Sequence, residues 1–207
     1  MIEQAVEALS EADRPIFYIG GGIINAVPEA SRLLREFVDE TGVAVTSTLM
    51  GLGAFPASHS AFLGMLGMHG TYEANLAMHQ CDVMFCLGAR FDDRVTGRVD
   101  AFSPQSFKVH VDIDRSSINK NIAVDLAIVG DAAYILEDIL KCWKARGYQK
   151  KGKALAKWWA RIDAWRAVDC LAFDQGPEHI QPQYAIRRLY ELTKDKNPII
   201  ATDVGQH

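Results

Sequence analysis

Apolar residues recur along this chain at two spacings. Ala5, Val6 and Leu9 share one face of a helix predicted over residues 2–10, as a period of 3.6 requires. The unbroken apolar run 16–19 then stops at Gly20, Gly21 and Gly22, which reads as a buried strand delivering the chain into a glycine turn. Pro28 opens a second helix, with Leu33, Leu34, Phe37 and Val38 on its inner face, and Gly42 closes it. The unit recurs. The run 43–45 leads into Thr46, Ser47 and Thr48, and a helix over 71–80 precedes the strand 83–87, which ends at Gly88. The run 107–111 leads into Asp112, and 126–129 into Gly130 and Asp131, a natural N-cap for a helix over Ala132–Ala145.

Short apolar strands alternating with amphipathic helices make a parallel sheet covered on both faces. The expected fold is therefore α/β: three layers, α/β/α, on a mostly parallel six-stranded Rossmann-like sheet occupying about residues 12–145. Nearly every strand ends in Gly, Thr or Asp, at the carboxyl edge where such sheets bind ligands. Past Gly147 the composition shifts. Lys150, Lys151 and Lys153 make a solvated basic break before a long helix carrying Trp158, Trp159, Ile162, Trp165 and Val168. That helical spacing marks a packing stripe and not an aromatic platform for nucleic acid. A helix near Pro182–Thr193 and a strand at 198–201 follow, the strand leading into residues 202–207 with no helix after it, which reads as a fragment of a longer polypeptide.

Composition narrows the classes further. With 49% hydrophobic residues, 23% charged residues and a net charge of -4 over 207 residues, the chain is neither disordered nor basic enough for nucleic acid to be its main partner. No apolar run reaches the length of a membrane span, and the first residues lack a secretory pattern. A soluble, cytoplasmic protein is expected. Cys81, Cys86, Cys142 and Cys170 form no CxxC pair and read as reduced, mostly buried thiols. The histidines show no HExxH spacing, so no metal site built from side chains is expected.

Five strand ends and loops carry candidate chemistry. Gly20–Gly22 either lets backbone N–H groups approach a phosphate or simply makes a tight turn. The GxGxxG fingerprint is absent, because Asn25 stands at its third glycine, and no acid ends the second strand, so an NAD-type site is disfavoured. The segment 88–98 carries Arg90, Arg94 and Arg98 with Asp92 and Asp93, suited to a diphosphate or to a structural salt-bridge cluster. Residues 63–70 form a loop of glycines and methionines that could wall a planar ring, with His69 a ligand contact or a helix cap. Asp112 could bond a ribose, and Asp131 could do so or serve only as an N-cap. Together these suggest a dinucleotide with a diphosphate and a planar ring, FAD fitting better than NAD. No nucleophilic triad is legible.

The stretches TLMGLGAFP (48–56), LGMLGMHGTYEAN (63–75), GARFDDRVTG (88–97) and the last residues, 202–207, closely resemble the large, catalytic subunit of the acetohydroxyacid synthase (acetolactate synthase) family. The resemblance covers essentially the whole chain. It implies the middle α/β domain over 1–145, a helical connector over 146–195, and the first strand and loop of a third domain over 196–207. In that family pyruvate is decarboxylated on thiamine diphosphate with Mg2+ and joined to a second 2-ketoacid, for branched-chain amino-acid synthesis. The middle domain binds FAD, which undergoes no net redox change.

By matching motif, Gly20, Gly21 and Gly22 would contact the adenosine-diphosphate part. Thr48, Leu49, Met50, Leu66, Gly67, Met68 and His69 would line the flavin and ribityl region. Gly88, Ala89, Arg90, Asp92, Arg94 and Val95 would surround the diphosphate and ribityl chain, with Asp112, Ile113, Asp131 and Ala132 at the adenosine end. Val204, Gly205, Gln206 and His207 would approach the thiamine diphosphate phosphates. The ylid-promoting glutamate and the magnesium-holding GDG…N motif of the family are not in this sequence, so no residue here is expected to be catalytic and the chain is expected to be inactive alone. The resemblance also implies a homodimer or tetramer with a small regulatory subunit for the full-length enzyme. A flavin-free structural domain and an NAD-type module are the alternatives.

Overall fold

A computed structural model describes residues 1–149 and 152–201. They fall into two compact units, Met1–Cys170 and Leu171–His207. The first unit begins with α1 (Ile2–Glu11), β1 (Pro15–Ile19), a one-turn helix α2 (Gly21–Asn25), α3 (Glu29–Thr41) and β2 (Ala44–Ser47). It continues with β3 (Phe62–Met65), α4 (Tyr72–Gln80), β4 (Val83–Leu87), α5 (Asp93–Thr96), β5 (Phe107–Asp112) and β6 (Leu126–Val129). Two long helices, α6 (Ala132–Ala145) and α7 (Gly152–Arg166), complete it.

The six strands form one parallel sheet in the order β3-β2-β1-β4-β5-β6. That order reverses direction between β1 and β4, and this switch point is where open α/β sheets receive ligands. Alternation along each strand feeds two cores. From β1, Phe17 and Ile19 face the core built with α1, α3 and α6, while Ile16 and Tyr18 face the one built with α4 and α7. The helices begin and end where the local chemistry dictates. Thr71 and Asp131 cap α4 and α6 by accepting from the N–H of Ala74 and Ala133, and Gly42 closes α3 in the left-handed region at φ 69°.

Two strand assignments differ from the sequence pattern. Residues 63–65, read as the start of a loop, join Phe62 in the edge strand β3, whose pairing with β2 is irregular between Val45 and Ser47. Gly64 sits there at φ 88°, with Thr46 Oγ1 donating to its carbonyl at 3.0 Å. No strand is assigned at 198–201, where one was expected: among the described residues these pair with no other segment, and Ile199 and Ile200 are exposed.

The Trp-rich helix is packing surface, with a consequence for the boundary. Leu155, Trp158 and Ile162 of α7 are buried in the second core beside Ala74, Ala77 and Met78 of α4. Trp158 Nε1 donates to Pro15 O at 3.2 Å and Trp159 Nε1 to Gly42 O at 2.9 Å, while the Arg166 guanidinium reaches the carbonyls of Ser60 and Phe62 at 2.8 Å. These carbonyls lie at the amino ends of β1, β2 and β3. Thus α7, which the sequence reading groups with a connector, forms half of one helical layer of the sheet domain. Lys150 and Lys151 lie outside the described residues, and Val168, beyond the helix end, is exposed.

The second unit contains α8 (Pro182–Thr193), preceded by a loop that the Gln175 side chain organises by bonding Gly176 O, His179 O and Gln181 N. No helix of the described residues is long and apolar enough to cross a membrane. Cys81 and Cys86 are buried and Cys142 half-buried, but Cys170 is exposed.

Candidate cofactor site

At the switch point the glycines serve backbone packing. Gly20 N–H donates to Leu87 O and Gly22 N–H to Gly88 O, both at 3.0 Å. A Cβ on Gly20 would lie 2.2 Å from Gly88 O, so a side chain there is excluded. Gly88, at φ 63°, donates in turn to Val111 O at 2.8 Å, and Thr48 N–H donates to Ile19 O at 2.9 Å. The ends of β2, β1, β4 and β5 are thereby stitched together. The glycine triplet does more than turn the chain: Gly21 and Gly22 open α2, and of the three only the Gly21 N–H lacks an acceptor among the described residues.

The charged loop after β4 turns its guanidiniums outward. The Arg90 side chain is 72% exposed and only 3.5 Å from Asp92 at its nearest approach, and Arg94 is exposed with no ion pair among the described residues. Among the described residues the alternative, a salt-bridge cluster, reduces to the Arg90–Asp92 pair and an Arg98–Asp100 pair at 2.8 Å. The Asp93 side chain, the Arg94 N–H and the Arg90 charge hold the Asp92 carboxyl below its ordinary value despite some desolvation.

The same loop is anchored from beneath. Phe91 takes the left-handed conformation at φ 54° and is 1% exposed. Its ring lies 5.0 Å from His110, 5.6 Å from Tyr18 and 5.9 Å from Phe102, and its carbonyl accepts from Asn121 Nδ2 at 2.9 Å. Ala89 O accepts from His110 Nε2 at 2.8 Å and from Cys86 Sγ at 3.2 Å.

The methionine loop meets this segment. Gly67, at φ 99°, would place a Cβ 2.5 Å from Arg94 O, and Met68 N–H donates to that carbonyl at 3.1 Å. Asn75 of α4 grips Gly67 from both sides, accepting from its N–H at 2.9 Å and donating to its carbonyl at 3.1 Å. Leu66 is buried, whereas Met68 is 68% and Met50 73% exposed, with Leu49 and His69 also exposed. His69 is not a helix cap, since Thr71 performs that task.

At the far side of the edge Asp112 is buried, its Oδ1 accepting from Asp114 N–H at 2.8 Å, and Ile113 is exposed. Asp131 is committed as the cap of α6 through one oxygen, with Ala132 buried behind it. Val95 is half-buried in the turn α5. Residues 204–207, expected near a second cofactor, lie outside the described residues. No cluster of His, Cys, Asp or Glu able to hold a metal occurs among the described residues. The sequence reading missed Asn75, Cys86, Phe91 and His110. Their roles depend on partners distant in sequence and, for Phe91, on a positive φ that no residue pattern announces.

Residues 2–139 match the family described as "Thiamine pyrophosphate enzyme, central domain". This chain belongs to that family. As a thiamine pyrophosphate enzyme central domain, it is similar along its whole length to proteins named acetolactate synthase. It is 44% identical over 206 residues to acetolactate synthase isozyme 3 large subunit of Escherichia coli (strain K12), covering 35% of that protein. It is 42% identical over 207 residues to acetolactate synthase 1, chloroplastic, of Zea mays, covering 32%, and 39% identical over 208 residues to acetolactate synthase of Mycobacterium leprae (strain TN), again covering 32%. The chain thus spans about a third of the length of these relatives. The family match ends inside α6, before the helix α7 that completes the domain's second layer.

Proposed function

We propose that this chain is the central part of an acetolactate synthase large subunit, and that the carboxyl edge of its sheet binds FAD. The observation that carries the reading is that one edge gathers two exposed guanidiniums, exposed apolar side chains and loops in which Gly20, Gly22, Gly67 and Gly88 leave no room for a Cβ. Arg90 and Arg94 suit a diphosphate, which a planar guanidinium binds through paired hydrogen bonds. The Gly21 N–H adds a backbone donor. Leu49, Met50 and Met68 offer adaptable apolar contact to a planar ring. Asp112, with Ile113 beside it, stands where a ribose hydroxyl would find an acceptor.

In the whole enzyme this domain would act beside thiamine diphosphate and Mg2+, in a homodimer or tetramer with a small regulatory subunit in the cytoplasm. Two pyruvates, or pyruvate and 2-ketobutyrate, are the substrates of that reading. Thiamine diphosphate, when bound, supplies the chemistry of decarboxylation and carbon–carbon bond formation. The residues of this chain bind and orient, and no proton-transfer role falls to them. The chain alone is inactive on this reading, because catalysis needs groups positioned together that other parts of the enzyme supply.

Titration of the purified chain with FAD, FMN and NAD, read by flavin fluorescence quenching and by calorimetry, tests the assignment. Saturable FAD binding is expected. Nicotinamide binding without flavin binding would select an NAD-type module, and a folded chain that binds neither would make the domain a flavin-free structural part. Acetolactate formed from pyruvate by the chain alone would refute the predicted inactivity.

A further inference from the structure

The three strands beneath the Arg90–Arg94 loop carry a row of side chains that the proposed cofactor contacts do not use. Tyr18, Cys86 and His110 are register partners across β1, β4 and β5, on the face that packs against α4 and α7. All three are wholly buried. The inner two converge on a single atom, the carbonyl oxygen of Ala89, with His110 Nε2 at 2.8 Å and Cys86 Sγ at 3.2 Å. Since a carbonyl only accepts, the imidazole must carry its hydrogen on Nε2. His110 Nδ1 has no partner among the described residues, so the Ala89 bond is its one hydrogen bond there.

The geometry of the loop follows from this attachment. Ala89 O is drawn down toward the strands, and two residues on, Phe91 drops its ring against His110 and Tyr18 at φ 54°. The residue between, Arg90, is thereby turned out with its side chain 72% exposed. A left-handed Phe costs free energy, and surrounding contacts must hold it there. His110 supplies two of those contacts, the hydrogen bond before Phe91 and the ring face beside it.

We propose that His110, assisted by Cys86, is a positioning residue that sets the loop carrying Arg90, Asp92 and Arg94 through the Ala89 carbonyl, and that cofactor affinity depends on it although it touches no cofactor. The second half of this statement rests on the FAD reading above; the first does not. Replacement by Leu removes the donor, leaving Ala89 O short of its strongest partner. Replacement by Gln keeps an N–H donor on a side chain of comparable reach.

The test uses the full chain with His110→Leu, His110→Gln and Cys86→Ala, and two readouts. Amide hydrogen exchange at residues 89–95, measured without ligand, is expected to be at least about tenfold faster in His110→Leu and restored toward the parent in His110→Gln. Unchanged exchange in a folded His110→Leu chain overturns the proposal, whether or not FAD binds. FAD titration is expected to show about a tenfold loss in His110→Leu that His110→Gln recovers. In an Arg90→Ala/Arg94→Ala background the His110→Leu loss should largely vanish, because the arginines it positions are gone. An undiminished loss in that background would mean that His110 acts by general stability only, and would overturn the positioning role. A parent chain that binds no FAD defeats the FAD reading and the affinity half of this proposal, leaving exchange to decide the loop-setting half. Should His110→Leu fail to fold, Cys86→Ala carries the exchange test, with a smaller acceleration at the same amides expected and no change there overturning the shared clamp.

Discussion

A Cβ built on Gly22 would lie 2.6 Å from the Cα of Gly88, and one built on Gly88 would lie 2.6 Å from the Cα of Gly22. The two loops of the switch point therefore touch backbone to backbone, and neither can yield by rotating a side chain. Gly88→Ala should cost about 1–2 kcal/mol for its left-handed φ and about 1–3 kcal/mol for overpacking. Gly22→Ala should show the overpacking cost only. Urea unfolding of the two variants checks the order.

The exposed guanidiniums make a different prediction. Arg90→Ala and Arg94→Ala should leave the unfolding free energy within about 0.5 kcal/mol of the parent, because both side chains are exposed. Each should weaken FAD binding by roughly 1.5–3 kcal/mol, the range for a hydrogen bond to a charged group. Paired unfolding and flavin titrations separate the two effects.

Helix α7 should behave as core. Trp158→Ala removes a buried indole and its bond to Pro15 O, and should cost about 3–5 kcal/mol. A chain ending near residue 145, close to where the family match stops, should expose the apolar face of Ile16, Tyr18 and Met84 and aggregate; light scattering would detect it.

His110 gives the stability a pH dependence. Burial pulls its value below the ordinary 6.5, against the pull of the Ala89 carbonyl and of Asp112. The other titratable side chains in its row, the Cys86 thiol and Tyr18, are pushed up by burial and stay uncharged. The folded chain thus binds the proton less readily than the unfolded chain. Its contribution is intact above pH 6.5 and is lost as pH falls below that value toward the lower folded one. Unfolding free energy should fall on acidification through this window, and His110→Gln should flatten that part of the curve.

The thiols should separate by burial. Desolvation pushes Cys81 up to about 11 and raises Cys86 as well, so neither presents thiolate near neutrality. Cys170, being exposed, should react first with an aromatic disulfide reagent, Cys142 next, and the other two only on unfolding.

What the sequence made legible was whatever depends on near neighbours. The run 16–19, the Pro28 start, the Gly42 stop and the Asp131 cap each follow from a few adjacent residues, and each stands as expected. The edge strand β3 was hidden because Gly64 interrupts its apolar run, and only the hydrogen bond from Thr46 explains how that glycine is accommodated. Ile199 and Ile200 favour a strand as β-branched residues, but a strand needs a partner, and among the described residues they have none. In the candidate site the arginines, methionines and glycines were visible as residue types. The grip of Asn75 on Gly67 and of His110 on Ala89 was not, because each joins segments that only the folded sheet brings together.

The tryptophan bonds of α7 sit at the opposite end of the strands from these loops. There the Asp82 carboxylate also accepts from the N–H groups of Asp13 and Arg14, and Asp125 accepts from Lys108 N–H. One rim of the sheet is laced shut by its own side chains, while the other keeps Arg90, Arg94, Met50 and Met68 exposed. Sequence drift can therefore remodel the ligand rim, apart from its interlocked glycines, with little threat to the fold, whereas the laced rim has almost no spare letters. A library randomised at Arg90, Met50 and Met68 should yield mostly folded chains, and one randomised at Asp82, Trp158 and Trp159 should yield few.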